Sequence, residues 1–255
     1  MSKMNNNNLE EFQDPANYDL EEAENSVQRI AFYADLAQVN GRRALEIACG
    51  TGLVALPVAA RGIAVTGVDL AWPMLSYARE KARGKGLHID LIQADARQLP
   101  LKKQFPFIYI TGNAFQAFLF RADQDRFLVS VKRLLAPDGI FAFETRNPSG
   151  HDLRTHDEEL WFTYRNIDGQ IVNVSGTQRY DPLAQVMHWT TFRRWSNEDR
   201  SHTTTTRIAC RFTDPQELEA LLYHAGIRIL HQYGDWGKGS LTAASESIIS
   251  ICQHQ

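Results

Sequence analysis

The stretch LEIACGTGLVALPVAA, residues 45–60, decides the fold. It runs from an apolar strand through a Gly-x-Gly turn into an apolar helix. At such a turn backbone N–H groups and the helix dipole point at whatever lies beyond the sheet. The same pattern can also be no more than a tight turn, so its context has to decide.

Working outward, strand and helix signals alternate. RALEIA reads as a strand, and a helix follows from about Gly52 to Arg61. IAVTGVDL is a strand, and PMLSYAREKARG a helix with Pro73 in its first turn. HIDLIQ and FPFIYIT are strands, DQDRFLVSVKRLLAPDG is a helix stopped by Pro137 and Gly139, and IFAFET is a strand. This βαβα order predicts an α/β doubly wound, mostly parallel sheet with helices on both faces. One amphipathic helix, Asp19 to Ala37, leads into it.

After Asn147 the chain becomes rich in Thr, Val, Ile and aromatics, with turns at Asp168-Gly169, Asp181-Pro182 and Asn197 to Asp199. About four antiparallel strands are predicted there. DPQELEALLYHAG restores a helix, with Asp214 as N-cap, Pro215 at N1 and Gly226 as its stop. IRILHQYGD and SESIISICQ supply two closing strands. The expected organisation is a disordered tail (1–17), a core (18–147), an antiparallel β lid insert (148–212) and the C-terminal part of the core sheet (213–255).

Bulk properties narrow the function. The 255 residues are 44% hydrophobic and 22% charged, with a formal net charge of −3. That balance suits a folded protein with a sizeable core and argues against nucleic acid as the main partner. Cys49, Cys210 and Cys252 have no metal spacing and are odd in number, so neither a metal site nor a disulfide framework is expected. The polar, Asn-rich start has no signal-like apolar core, and no run is long enough to span a bilayer. A cytoplasmic protein is the expectation.

Asp69 ends the second strand, 19 positions after Gly50, where a carboxylate can accept hydrogen bonds from ribose hydroxyls. A nicotinamide cofactor fits nearly as well, because GTGLVA reads as G-x-G-x-x-A. Two features decide. Glu46, four residues before Gly50, would repel a pyrophosphate but favours the ammonium and sulfonium of S-adenosylmethionine. Asp95, in QADARQLPL after the third strand, can accept from an adenine amino group, and Ala94 and Ala96 leave room for the ring.

LEIACGTG, VTGVDLAWPML and LIQADARQLPL together resemble the first three motifs of class I S-adenosylmethionine-dependent methyltransferases, over roughly residues 40 to 145. The resemblance implies a seven-stranded Rossmann-like sheet with its last strand antiparallel. It also implies in-line methyl transfer that leaves S-adenosylhomocysteine. By position it places the cofactor on Glu46, Ala48, Cys49, Gly50, Gly52, Asp69, Leu70, Met74, Asp95 and Ala96. Gly112 and Asn113, in TGNAFQAF, would face the transferred methyl, and Tyr18 would close over the methionine tail. FETRNP, the β-rich insert and YGDW are similar to a bacterial small-molecule subset with an antiparallel lid, such as amino-sugar N-methyltransferases. The Asn/Asp-Pro-Pro-aromatic motif of DNA and protein-glutamine amide methylators is not present in TGNAFQAF.

The implied reaction needs no triad. Catalytic candidates follow the fifth strand: Glu144, Arg146, Asn147 and His151. Against this, Glu144 can simply tie down a loop, and His151 can be a solvated loop residue. Expected partners are a small-molecule methyl acceptor and, in a homodimer, a second copy of the chain, with no membrane. Two rivals remain: an NAD(P)-dependent oxidoreductase on a related fold, and a non-catalytic cofactor-binding module.

Overall fold

A computed structural model describes residues 6–22, 27–148, 153–197 and 200–255. Five parallel strands form the centre of a seven-stranded sheet: β1 (Arg43–Ile47), β2 (Ala64–Asp69), β3 (Asp90–Gln93), β4 (Phe105–Ile110) and β5 (Leu135–Arg146). Beyond β5 lie β11 (Ser247–His254) and then β10 (Ile227–Tyr233), giving the order β10-β11-β5-β4-β1-β2-β3. β11 runs antiparallel to both neighbours, as expected.

The two-residue alternation of strand side chains divides the core. Phe107 and Tyr109 of β4 point to one face, where they pack with Phe32 and Tyr33 of α2 (Val27–Val39) and with Val58 of α3 (Ala55–Ala60). Ile108 and Ile110 point to the other, against Phe127 of α5 (Arg121–Leu134) and Leu221 of α6 (Pro215–His224). α4 (Trp72–Gly84) follows β2 and buries Met74, Leu75 and Ala78. Asp214 caps α6 by accepting from the Glu217 N–H at 2.8 Å.

The insert is a separate four-stranded meander: β6 (His156–Arg165), β7 (Ile171–Asp181), β8 (Val186–Asn197) and β9 (Arg200–Arg211), each antiparallel to the next. Its first two turns fall where Asp168-Gly169 and Asp181-Pro182 were read, and the third reading, Asn197 to Asp199, runs into residues outside those described.

Four expectations need correction. The leading segment is helical over α1 (Pro15–Glu22) and α2, on either side of residues outside the described ones, so Tyr18 lies inside a helix and not before one. Glu21 of α1 meets Arg193 of β8, and Arg29 of α2 pairs with Glu22 of α1. The tail is not disordered throughout, since Asn6–Phe12 forms a 3-10 helix against β9, where its polar side chains find partners. The helix after the glycine turn starts at Ala55, three residues later than read. Finally, Pro137 and Gly139 do not stop α5. They lie inside β5, where the register slips between Phe105↔Leu135 and Phe107↔Ile140, and such a bulge accommodates a residue without an N–H.

Candidate functional site

A cavity of about 710 Å³ opens at the carboxyl ends of β1, β2 and β4. β1 ends in the turn that the sequence singled out. Three residues there have positive φ: Ala48 (55°), Gly50 (52°) and Gly52 (77°). The chain therefore coils tightly enough to turn the Gly50 N–H toward Asp69 Oδ2, at 2.7 Å. Asp69 Oδ1 accepts from the Ala71 N–H at 2.8 Å. Burial pushes the Asp69 carboxyl up, and these backbone donors oppose the shift. Asp69 still lines the cavity, so its position joins the glycine turn to whatever the cavity holds.

Glu46, 1% exposed, lies in the same wall. The Tyr109 hydroxyl donates to it at 3.0 Å and the Thr111 hydroxyl at 3.3 Å. Burial raises its pKa to about 8, against the pull of those two donors and of Arg29. A second buried carboxylate, Glu144, accepts from the Tyr33 hydroxyl and from the Gly112 N–H at 2.6 Å. Tyr33 and Tyr109 stack at 5.4 Å, which fixes both phenols. Asp95 borders the opposite end of the cavity. Burial alone would raise its pKa, but both its oxygens bind Arg97 and the net shift is downward. Arg97 also reaches Asp123 at 3.0 Å.

Of the residues assigned to the cofactor, Tyr18, Glu46, Ala48, Cys49, Gly50, Asp69, Leu70, Met74, Asp95, Ala96, Gly112 and Asn113 all line this one cavity. Gly52 does not. A Cβ on it would meet Leu56 Cγ at 3.2 Å and Ala78 at 3.6 Å, so its smallness lets α3 and α4 pack. The catalytic candidates fare worse. Glu144 is outside the lining and holds the Gly112 loop, because its β5 position faces inward between α2 and β4. Arg146 is exposed, with its guanidinium 4.9 Å from the Trp189 ring centroid. Asn147 ties down the loop before β11 through the Thr242 and Ser245 carbonyls. His151 lies outside the described residues.

Several lining residues were missed. Arg29 reaches the cavity from α2, with its Nε buried and unpartnered. Phe12, Ile208 and Cys210 reach it from the N-terminal 3-10 helix and from β9. No local pattern marks them, since each arrives by long-range packing. Arg97 did carry a signal, an arginine two residues after Asp95 in a short capped turn.

Residues 44–139 match a family model described as a methyltransferase domain. A putative methyltransferase of Bacillus subtilis, YqeM, is 26% identical over 219 residues, 83% of each chain. The chain is a methyltransferase. Curated relatives of higher identity, up to 42%, align with this methyltransferase over as few as 106 residues, 44% of the relative's own length. In fold it is similar to an S-adenosylmethionine-dependent methyltransferase from Clostridium acetobutylicum, with TM-score 0.80, 17% identity, and 93% and 97% of the two chains covered. It is also similar to CalS10, an amino pentose methyltransferase from Micromonospora echinaspora, with TM-score 0.70, 18% identity and 92% and 91% covered. At these coverages both likenesses extend into the β6–β9 insert. Among the methyltransferase's described residues no group of side chains could hold a metal ion, and no helix is long and apolar enough to cross a membrane.

Proposed function

We propose that the chain transfers a methyl group from S-adenosylmethionine to a small-molecule acceptor and releases S-adenosylhomocysteine. One observation carries the reading: two carboxylates, Glu46 and Asp69, border a single cavity on either side of the Gly50 turn. Glu46 suits the ammonium of the methionine end, with Tyr18 beside it, and the guanidinium of Arg29 suits the carboxylate. Asp69 accepts from the ribose. Leu70, Met74 and Ala96 offer apolar contact to the adenine, and Asp95 accepts from its amino group. A pyrophosphate would lie against Glu46, which disfavours the nicotinamide alternative.

The cofactor supplies an already activated methyl on a sulfonium. What remains for the protein is alignment and exclusion of water. Gly112 and Asn113 wall the cavity where the methyl is expected, and Glu144 holds that loop from behind. The 3-10 helix Asn6–Phe12 and β9 roof it. The amino pentose named for CalS10 makes a small metabolite the natural acceptor class. A cytoplasmic location and a homodimer belong to the same proposal, to be checked by cell fractionation and sedimentation. The central test is calorimetric titration with S-adenosylhomocysteine and with NADH, joined to transfer of radiolabelled methyl into a metabolite extract. Binding of S-adenosylhomocysteine alone, with label appearing in a small molecule, is expected. Binding of NADH alone would overturn the reading.

A further inference from the structure

The cavity has two unlike halves. Every lining acid and arginine belongs to the cofactor end or to its outer edge: Arg29, Glu46 and Asp69 at one, Asp95, Arg97 and Asp123 at the other. The rest of the lining is largely apolar, and Leu9, Phe12, Phe118, Phe120, Ile208 and Cys210 supply its bulky wall. Phe120 is 66% exposed while lining the cavity, so it stands at the mouth through which an acceptor enters.

Of the polar groups nearest this wall, Asn8 and Arg97 are already engaged, and the buried Oδ1 of Asn113, without a partner, offers a single acceptor. Asn8 uses both ends of its carboxamide on β9, donating to the Ala209 carbonyl at 2.9 Å and accepting the Ala209 N–H at 2.8 Å. Arg97 uses Nε and Nη2 on Asp95 and Nη1 on Asp123. Arg29 pairs with Glu22 at 3.1 Å, at the far end. A phosphate or carboxylate on the acceptor would therefore meet only Arg97, already held by Asp95 and Asp123, because Arg29 is taken by the methionine end of the cofactor. A sugar ring would bury hydroxyls against phenyl and alkyl groups, where an unpaired hydroxyl is costly.

We propose that the acceptor is an uncharged, largely apolar molecule seated between Phe12, Phe118 and Ile208. This deepens the methyl-transfer reading and rests on it. It also separates the chain from an enzyme whose acceptor is an amino sugar or an anionic conjugate.

The test is calorimetry on the full chain saturated with S-adenosylhomocysteine, using three probes: 2-naphthol, 2-naphthyl phosphate and glucosamine. Naphthol is expected to bind at least about tenfold more tightly than either of the others, as the apolar wall requires. Ile208→Asp and, separately, Phe118→Asn should each weaken naphthol about tenfold while leaving the affinity for S-adenosylhomocysteine within about threefold. Using two variants on different elements keeps the test alive if one fails to fold. Equal or tighter binding of the phosphate or of glucosamine would overturn the proposal, as would naphthol binding that neither variant weakens. Failure of the unmodified chain to bind S-adenosylhomocysteine would instead overturn the cofactor reading, and this inference with it.

Discussion

Glu46 is the residue whose chemistry is most open to a direct check. Its carboxyl titrates from 4.5 in an unperturbed state up to about 8 in the fold, so the folded chain holds that proton more tightly than the unfolded one. The sign follows: without ligand, this group's contribution to stability falls as pH rises from about 4.5 to 8, and is level beyond. An adjacent ammonium favours the ionised form, so affinity for S-adenosylhomocysteine should rise between pH 6 and 7.5, by at most about tenfold per unit. In Glu46→Gln both slopes should flatten, by thermal melts for the first and calorimetry for the second. A wild-type pH profile in that variant would remove Glu46 from the methionine end. Asp69→Ala should weaken S-adenosylhomocysteine about 10- to 100-fold through lost charge-assisted hydrogen bonds. Asp69→Asn keeps one acceptor for the Gly50 or Ala71 N–H, and an intermediate loss there would separate ribose contact from support of the turn. Gly50, Asp69 and Asp95 were legible in the sequence because strand, turn and helix fix their positions locally. The sequence left two readings of Glu144 open for the complementary reason: its place at the end of β5 is visible, but the face it points to depends on Tyr33, 111 residues away.

At the scale of elements, the alternating pattern recovered the parallel strands and all four strands of the insert, and the family resemblance supplied the antiparallel final strand. It failed where one element is held by another far along the chain. Arg193 of β8 binds Glu11 at 2.7 Å and Glu21 at 2.6 Å, and α1 carries Tyr18 to the cavity. The three side chains are mostly buried, so the cluster is less screened than a surface pair. Lid and cofactor site are therefore mechanically joined. Arg193→Met should weaken S-adenosylhomocysteine roughly tenfold, as loss of hydrogen bonds to charged groups implies, with the melting curve of the central sheet retained. Calorimetry and circular dichroism on the same sample would check both halves. Unchanged affinity would mean that the lid moves independently of α1.

At the scale of the molecule, the cavity is closed by parts of the chain that meet only after nearly all of it has folded. Asn8 and Ala209 are separated by 201 positions. Bringing them together costs loop-closure entropy that local contacts on the sheet do not incur. The roof should thus be the last part to close and the first to open. β9 is an edge strand, and Asn8 occupies two of its outward backbone groups as a neighbouring strand would. The Ala209 amide proton consequently belongs to the roof and not to the β8–β9 ladder, and a single exchangeable hydrogen reports whether the cavity is shut. In hydrogen exchange followed by NMR, that amide should exchange faster than β9 amides bonded to β8 in the free protein, and slow on addition of S-adenosylhomocysteine. Asn8→Ala should erase its protection while sparing the others. If the cofactor leaves the Ala209 rate untouched, ligand enters and leaves by some path that never lifts the roof.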